Sequence, residues 1–189
     1  MLKRRFGKKI ISLMVLITML VGLFVTAVPV SAAETTKLVL LETTDVPANV
    51  VPVNYYTGGN LKGTLPRLST LVTEIRKSNK NVMLFDAGDT IQGSQLAYYW
   101  GTVNPAKDNN MDHMMATAMN YLNYDAMVLG NHEFQAGKSS LLDFVDDAKF
   151  PVISANTVYA NTDKLVFEPY KIIPKLLDNG KTINVGVLG

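Results

Sequence analysis

The fold of this 189-residue chain is constrained most by five short apolar runs that alternate with longer amphipathic segments. Each run is partly β-branched and bounded by turn-forming residues, a pattern typical of buried strands. The runs cover residues 38–41, 82–85, 126–129, 152–155 and 183–188. Apolar residues recur at helical spacing between them, over residues 64–79, 109–123 and 141–148. This alternation predicts an α/β layered fold in which helices flank a mostly parallel sheet.

Residues 1–33 have the pattern of a secretory signal peptide. Five Lys and Arg residues precede an almost uncharged apolar stretch, which ends in overlapping small-x-small cleavage sites over 30–33. An uncleaved membrane anchor is the alternative, because the apolar stretch approaches the roughly 20 residues that span a bilayer. Under either interpretation, residues 34–189 are expected to be exported, with membrane contact only through this segment.

The charge balance changes once residues 1–33 are set aside. The chain has 18 basic and 16 acidic residues, and five basic but no acidic residues precede residue 34. Residues 34–189 therefore carry 13 basic and 16 acidic residues, a net charge of −3 that does not favour binding to a nucleic-acid polymer. The chain has no cysteine, which excludes disulfides and thiolate metal sites.

Residues 34–189 are long enough for one domain with a sizeable core. The last apolar run reaches almost to Gly189, and a strand inside a sheet rarely ends a domain so abruptly. We therefore expect residues 34–189 to be the N-terminal part of a larger catalytic domain, with an α/β fold that is incomplete at the C-terminus.

Polar residues follow three of the predicted strands. Asp45 follows the first, Gly88-Asp89 the second and Gly130-Asn131-His132-Glu133 the third. Because the carboxyl ends of parallel strands meet at one edge of a sheet, we expect Asp45, Asp89 and Asn131 to converge. The glycines allow sharp turns and close approach of the backbone to a ligand. Taken alone, Asp45 has a simpler interpretation as a helix cap or turn former.

Two carboxylates, an amide oxygen and an imidazole suit hard or borderline divalent ions. One Asp can bridge two ions, and two ions about 3.5–4 Å apart can clamp a phosphoryl group and activate water. Such chemistry needs a proton donor beside the leaving oxygen. His132 is a candidate because it neighbours Asn131 in the chain and histidine titrates near neutral pH.

Two further features have simpler interpretations than a metal site. The methionines between residues 111 and 119 recur at helical spacing, which favours core packing over a copper or cofactor site. His113 lies off that stripe, so we expect a solvated helix residue rather than a ligand.

Several longer strings resemble one family. ETTD, FDAGDTIQGSQLAYY, NYLNYDAMVLGNHEF and FPVISAN carry the D…GD…GNH(D/E) signature of calcineurin-like metallophosphoesterases. They resemble the bacterial 5′-nucleotidase family, and most of all its exported 2′,3′-cyclic-nucleotide 2′-phosphodiesterase/3′-nucleotidase branch. The resemblance runs from about residue 37 to 189 and covers the first part of that family's catalytic domain.

The resemblance implies a role for each signature residue. Asp45 would ligate a first metal ion, Asp89 would bridge two ions, Asn131 would ligate the second, and His132 would act at the phosphate and leaving group. The ions would be two of Mn, Zn, Fe, Mg or Ca, and the substrate a nucleotide or cyclic nucleotide. Glu133 is expected to be a local hydrogen-bond partner.

The resemblance also implies that Gln92, Gly93 and Ser94 shape the loop after Asp89, with direct phosphate contact as the alternative. The chain departs from the family at Pro47, where the family has the His of Asp-x-His, and at Gln135, where Asp or Asn is frequent. The family's later histidine ligands would lie beyond residue 189.

These departures predict weak or no activity for this chain alone. One rival hypothesis is a non-catalytic surface or binding protein on a decayed phosphoesterase scaffold. A second is a phosphoesterase with one weak metal site.

Overall fold

Four strands form the parallel sheet that the sequence predicts. In a computed structural model that describes residues 35–105 and 110–189, the strands lie in chain order across one sheet. They are β1 (Val39–Thr43), β2 (Val82–Asp86), β3 (Ala126–Val128) and β4 (Val152–Ile153). All three pairings are parallel. The carboxyl ends of β1, β2 and β3 therefore lie side by side.

Helices follow the strands as the hydrophobic periodicity predicts, but one begins later than expected and another was not predicted. They are α1 (Leu65–Ser78), α2 (Gln95–Tyr98), which continues into a π-helix (Tyr99–Val103), α3 (Met114–Tyr121) and α4 (Gly137–Asp147). The helix expected over 109–123 begins later, because His113 adopts a non-helical conformation and caps α3. The short α2 and its π-helix were not predicted.

The core lies between the sheet and α1, α3 and α4. Its buried members include Val72 of α1, Met115 and Met119 of α3, and Phe144 of α4, packed with Leu84 of β2. Met115 and Met119 are fully buried and Met114 packs against the core, so the expectation that the methionine stripe packs the core is confirmed for these three. Met111 is instead 51% exposed and precedes α3. Burying a side chain of this size contributes about 1.5–3 kcal/mol.

The predicted buried strand at 183–188 is instead one half of an exposed hairpin. β5 (Tyr170–Leu176) and β6 (Thr182–Leu188) pair antiparallel in a sheet of their own. In both strands exposed and half-buried residues alternate, so only one face is covered. The hairpin is tied to the parallel sheet where Lys175 Nζ donates to the Val82 carbonyl over 2.6 Å.

The first run was expected to be buried, but Leu40 of β1 is 58% exposed, because the described residues give β1 only one neighbouring strand, β2. The predicted signal segment, residues 1–33, lies outside the described residues. Among the residues described, no helix is long and apolar enough to cross a membrane.

Candidate metal centre

Main-chain hydrogen bonds join the loop after β1 to the loop after β2. The Asp45 amide donates to the Gly88 carbonyl over 3.1 Å, and the Ala48 amide donates to the Thr90 carbonyl over 2.8 Å. Asp45 is therefore hydrogen-bonded to Gly88, the residue directly before Asp89. The two aspartates lie on neighbouring loops, as the sequence predicts.

The loop after β3 packs closely against the loop after β2. The His132 amide donates to Asp89 Oδ1 over 2.8 Å. A Cβ atom on Gly130 would lie 2.3 Å from Asp89 Oδ1, and one on Gly88 would lie 2.3 Å from the Gly130 nitrogen. Only glycine fits at either position, because the two loops pack closely against each other; the predicted approach of these glycines to a ligand stays a prediction. Asn131 lies between two residues that contact the Asp89 carboxylate.

Both aspartates have an unusual backbone conformation. The φ angle is 52° at Asp45 and 57° at Asp89, in the left-handed region that residues other than glycine rarely adopt. Such conformations persist where the surrounding structure imposes them, and they cluster at functional sites. Here the imposing contacts are the loop-to-loop hydrogen bonds at Gly88 and His132.

Glu133 links the loop after β2 to the loop after β3 through hydrogen bonds. Its side chain is fully buried and its two carboxylate oxygens accept hydrogen bonds from four main-chain amides. The donors are Asp89 at 2.8 Å, Thr90 at 2.7 Å, Ile91 at 3.2 Å and Gly130 at 2.7 Å. The prediction that Glu133 is a local hydrogen-bond partner is confirmed, and its partners lie in both loops.

A second buried carboxylate, Asp86, was not singled out by the sequence. It accepts hydrogen bonds from Thr43 Oγ1 at 2.5 Å, from Thr90 Oγ1 at 3.0 Å and from the Gly88 amide at 2.9 Å. Burial raises the pKa of Asp86 to about 6. The Thr43 hydroxyl also shares a 2.8 Å hydrogen bond with Tyr124, whose pKa burial raises to about 12. The sequence signal was a carboxylate two residues before Gly88, at the end of a buried strand.

The predicted ligands offer a partial set of donors for a metal ion. Asp45 and Asn131 are exposed, while Asp89 and His132 are half-buried. One oxygen of Asp45 accepts from Thr44 Oγ1 and one of Asp89 accepts from the His132 amide, which leaves the second oxygen of each carboxylate available. Oxygen donors of this kind fit a hard divalent ion.

The partial set does not by itself make a complete site. The described residues contain no group of three or more His, Cys, Asp or Glu side chains that could hold a metal ion. A metal bound by Asp45, Asp89 and Asn131 therefore needs further ligands. The roles of Asp45, Asp89, Asn131 and His132 remain predictions.

Pro47 packs against the loop that follows Asp89. A Cβ atom on Gly93, whose φ angle is 112°, would lie 2.7 Å from Pro47 Cβ. Ser94 Oγ donates to the Ala48 carbonyl and accepts from the Ala97 amide, so it joins the two loops and caps α2. The expectation that Gly93 and Ser94 shape this loop is confirmed.

Gln135 and His113 differ in burial. Gln135 is exposed, and its side chain makes no hydrogen bond to the described residues, so it does not hold His132. His113, expected to be solvated, is only 6% exposed. That prediction is wrong because the His113 ring caps α3 and packs edge-on against Phe144.

Comparison with known proteins agrees with this geometry. The sequence model of the calcineurin-like phosphoesterase family matches residues 41–183. A 2′,3′-cyclic-nucleotide 2′-phosphodiesterase/3′-nucleotidase of Salmonella typhimurium is 36% identical over 162 residues, which is 83% of this chain and 25% of the relative. Human 5′-nucleotidase is 35% identical over 153 residues, 76% of this chain and 25% of that protein.

Solved structures give the same relationship. The calcineurin-like phosphoesterase YfkN from Bacillus subtilis superposes with a TM-score of 0.70 at 34% identity, over 79% of this chain and 46% of that chain. A 5′-nucleotidase precursor from Thermus thermophilus has a TM-score of 0.59 at 32% identity, over 80% of this chain and 28% of that chain. The chain spans a quarter of the length of the Salmonella and human relatives.

Proposed function

Because the chain belongs to the calcineurin-like phosphoesterase family, we propose that it supplies part of the catalytic centre of a divalent-metal-dependent hydrolase of nucleotide phosphoesters that acts outside the cytoplasm. The observation that carries the proposal is the joining of three signature loops at one sheet edge. Glu133 fastens two of them through four main-chain amides. Membership of the phosphoesterase family is shown independently by the match over residues 41–183.

Each signature residue has a role that its position supports. Asp45 and Asp89 would offer carboxylate oxygens, and Asn131 an amide oxygen, to two divalent ions. Such ions, when bound, stabilise phosphoryl charge and activate water. His132 would hold a proton beside the leaving sugar oxygen and release it as the phosphoester bond breaks.

The substrate class comes from the relatives. Their names include 2′,3′-cyclic-nucleotide phosphodiesterase, 3′-nucleotidase and 5′-nucleotidase activities, so we propose a nucleotide or cyclic nucleotide as substrate. The basic and apolar pattern of residues 1–33 supports an exported location. The division into a signal segment over 1–33 and part of a catalytic domain over 34–189 is likewise a proposal.

The chain alone is expected to bind metal weakly and to turn over slowly. Pro47 replaces a family histidine, and the part of the chain that the structure describes has no group of three His, Cys, Asp or Glu side chains that could hold a metal ion. Titration with Mn²⁺ should show binding that Asp89→Ala abolishes. Asp125→Asn is the matched control, since Asp125 accepts one main-chain hydrogen bond, from Leu84, away from the signature loops. A chain that binds no divalent ion would refute the proposal.

Turnover gives the second readout. Hydrolysis of 2′,3′-cyclic AMP and 3′-AMP should be far slower than with a full-length relative and should cease in a chelator. Rates comparable to the relative's, lost in Asp89→Ala, would overturn the expectation of weak activity but support the hydrolase.

A non-catalytic binding protein on a decayed scaffold is the second candidate, and Pro47 is the observation that favours it. Proline removes a ligand and a backbone donor from the first motif. This candidate predicts no metal-dependent turnover and a partner interaction that survives His132→Ala.

A further inference from the structure

A cavity of about 510 Å³ lies beside Asp45, between the end of β1 and the beginning of α1. The residues on which the argument rests are Glu42, Asp45, Lys62, Thr64 and Arg67, all of which line it. The cavity shares Asp45 with the candidate metal centre, but neither Asn131 nor His132 lines it. It is therefore a neighbouring space rather than the centre itself.

Two cations without a partner in the described part of the chain line this cavity. Lys62 and Arg67 are exposed, and neither side chain makes an ion pair or a hydrogen bond with the described residues. Glu42 and Asp45 balance their charge, so these four groups sum to zero. One divalent ion held by Asp45 would raise the sum to +2, which favours an anion in the cavity.

Thr64 supplies an independent observation. It is 4% exposed, and its hydroxyl is buried without a hydrogen-bond partner among the described residues. Thr64 is the N-cap of α1, yet its side chain does not cap the helix. Buried hydroxyls without a partner are rare in folded proteins and require an explanation.

The beginning of α1 contributes positive potential but few free donors. The first turn contains no acidic residue, so the positive end of the helix dipole is not neutralised. The Leu65 amide already donates to the Asn49 carbonyl, and Pro66 has no N–H. An anion here would be bound mainly by side chains.

We propose that this cavity is an anion subsite that takes the second phosphate group of a doubly phosphorylated nucleotide. The inference rests on the proposed function, because the first phosphate is the one at the candidate metal centre. Lys62 and Arg67 bind the second phosphate by charge-assisted hydrogen bonds, for which the guanidinium is especially suited. The Thr64 hydroxyl turns to the anion and gains the acceptor that it lacks.

The test is calorimetric titration of the full chain with pyrophosphate in the presence of a chelator, so that it does not depend on bound metal or on hydrolysis. Lys62→Ala/Arg67→Ala should weaken pyrophosphate binding at least about tenfold. Lys77→Ala/Lys149→Ala removes the same charge from exposed positions outside the cavity and should have little effect. Equal loss in both double variants, no loss in the first, or no binding by the unaltered chain would each overturn the subsite.

Thr64→Val tests the hydroxyl separately. The backbone of Thr64 is extended, which suits valine, and the hydroxyl that is removed has no partner among the described residues. The melting temperature should stay the same or rise, while pyrophosphate binds severalfold more weakly. Unchanged affinity would remove Thr64 from the site and overturn the proposal in this form.

Titration with inorganic phosphate tests whether the cavity prefers two linked phosphate groups or binds any phosphate ion. Pyrophosphate that binds more tightly supports a substrate with two phosphates, whereas inorganic phosphate that binds equally well would overturn that assignment. The subsite and the hydrolase can also fail separately. Pyrophosphate binding through Lys62 and Arg67 in a chain that binds no divalent ion would retain the subsite and refute the hydrolase.

Discussion

Glu133 connects the loop that carries Asp89 to the loop that carries Asn131. Because its buried carboxylate accepts four main-chain hydrogen bonds, Glu133→Gln turns an amide group towards donors that need an acceptor. Leaving a buried main-chain donor without its acceptor costs about 1–3 kcal/mol. We expect a loss of that order in chemical denaturation.

The same substitution should weaken Mn²⁺ binding, measured by titration at a temperature where the variant stays folded. Asp125→Asn again serves as control, because Asp125 accepts a single amide hydrogen bond. If Glu133→Gln lowers stability but leaves metal affinity unchanged, Glu133 supports the fold and does not position the ligands.

Pro47 is the second residue at which a single change is informative. Pro47→His restores the imidazole that the family places there and should raise Mn²⁺ affinity at least about tenfold. Both Pro47→His and the control Pro47→Ala keep the Cβ atom that packs on Gly93, so the loop contact is preserved in each. Equal affinity in the two variants would mean that position 47 does not face the metal.

Helix α3 depends on His113 for its first turn, and this makes the helix sensitive to pH. His113 Nδ1 accepts from the Met115 amide, which requires the neutral ring. Burial lowers the pKa of His113 to about 4, against the opposing effect of Asp147 and Asp143. In the unfolded chain His113 therefore takes up a proton near pH 6.5, whereas in the folded chain it does so only near pH 4.

The stability that neutral His113 contributes is present above pH 6.5 and is lost as the pH falls towards 4, up to about 3 kcal/mol. Asp86 acts in the opposite direction over an overlapping range, because its raised pKa favours the folded state at low pH. Comparison of the chain with His113→Asn cancels the Asp86 contribution, and asparagine can still cap the helix. The variant should lose less stability between pH 6.5 and 4 in urea denaturation, and parallel curves would contradict this.

Among the secondary-structure elements, the sequence predicts those whose type and place follow from local pattern and from their order along the chain. The parallel strands and the polar residues after them follow from continuous apolar runs and from the place of each loop. β5 was not predicted because its apolar and charged residues lie on the opposite faces from those of an ordinary half-buried strand. Ile172 and Leu176 lie on the exposed face, whereas Lys171 and Lys175 lie on the half-buried face.

The buried network at the site was missed for a related reason. Thr43 meets Asp86 because the two are paired in register across β1 and β2. Tyr124 reaches Thr43 from 81 positions away. Neither register nor contacts over such separations can be obtained from local pattern. The places of Asp45, Asp89 and Asn131 after the strands were therefore predictable, and the hydrogen-bond network around their loops was not.

For the molecule as a whole, polar contacts link the hairpin to the parallel sheet. Asn81 lies just before β2 and is 5% exposed. Its side chain donates to Asp178 Oδ1 and accepts from the Asp178 amide, each over 2.8 Å, in the turn between β5 and β6. A third contact, to the Lys37 carbonyl over 3.0 Å, joins the chain that leads into β1.

Asn81→Ala should therefore loosen the hairpin more than the sheet, because it removes the acceptor of the Asp178 amide and the donor to the Lys37 carbonyl, and a hydrogen bond of this kind contributes about 0.5–1.5 kcal/mol. Hydrogen–deuterium exchange should quicken at the amides of β5 and β6 and change little in β2 and β3. Asn79→Ala is the control, since the Asn79 side chain contacts Ile75 and Lys37 but not the hairpin. Exchange that quickens equally in both sheets would mean that the hairpin and the parallel sheet open as one cooperative unit.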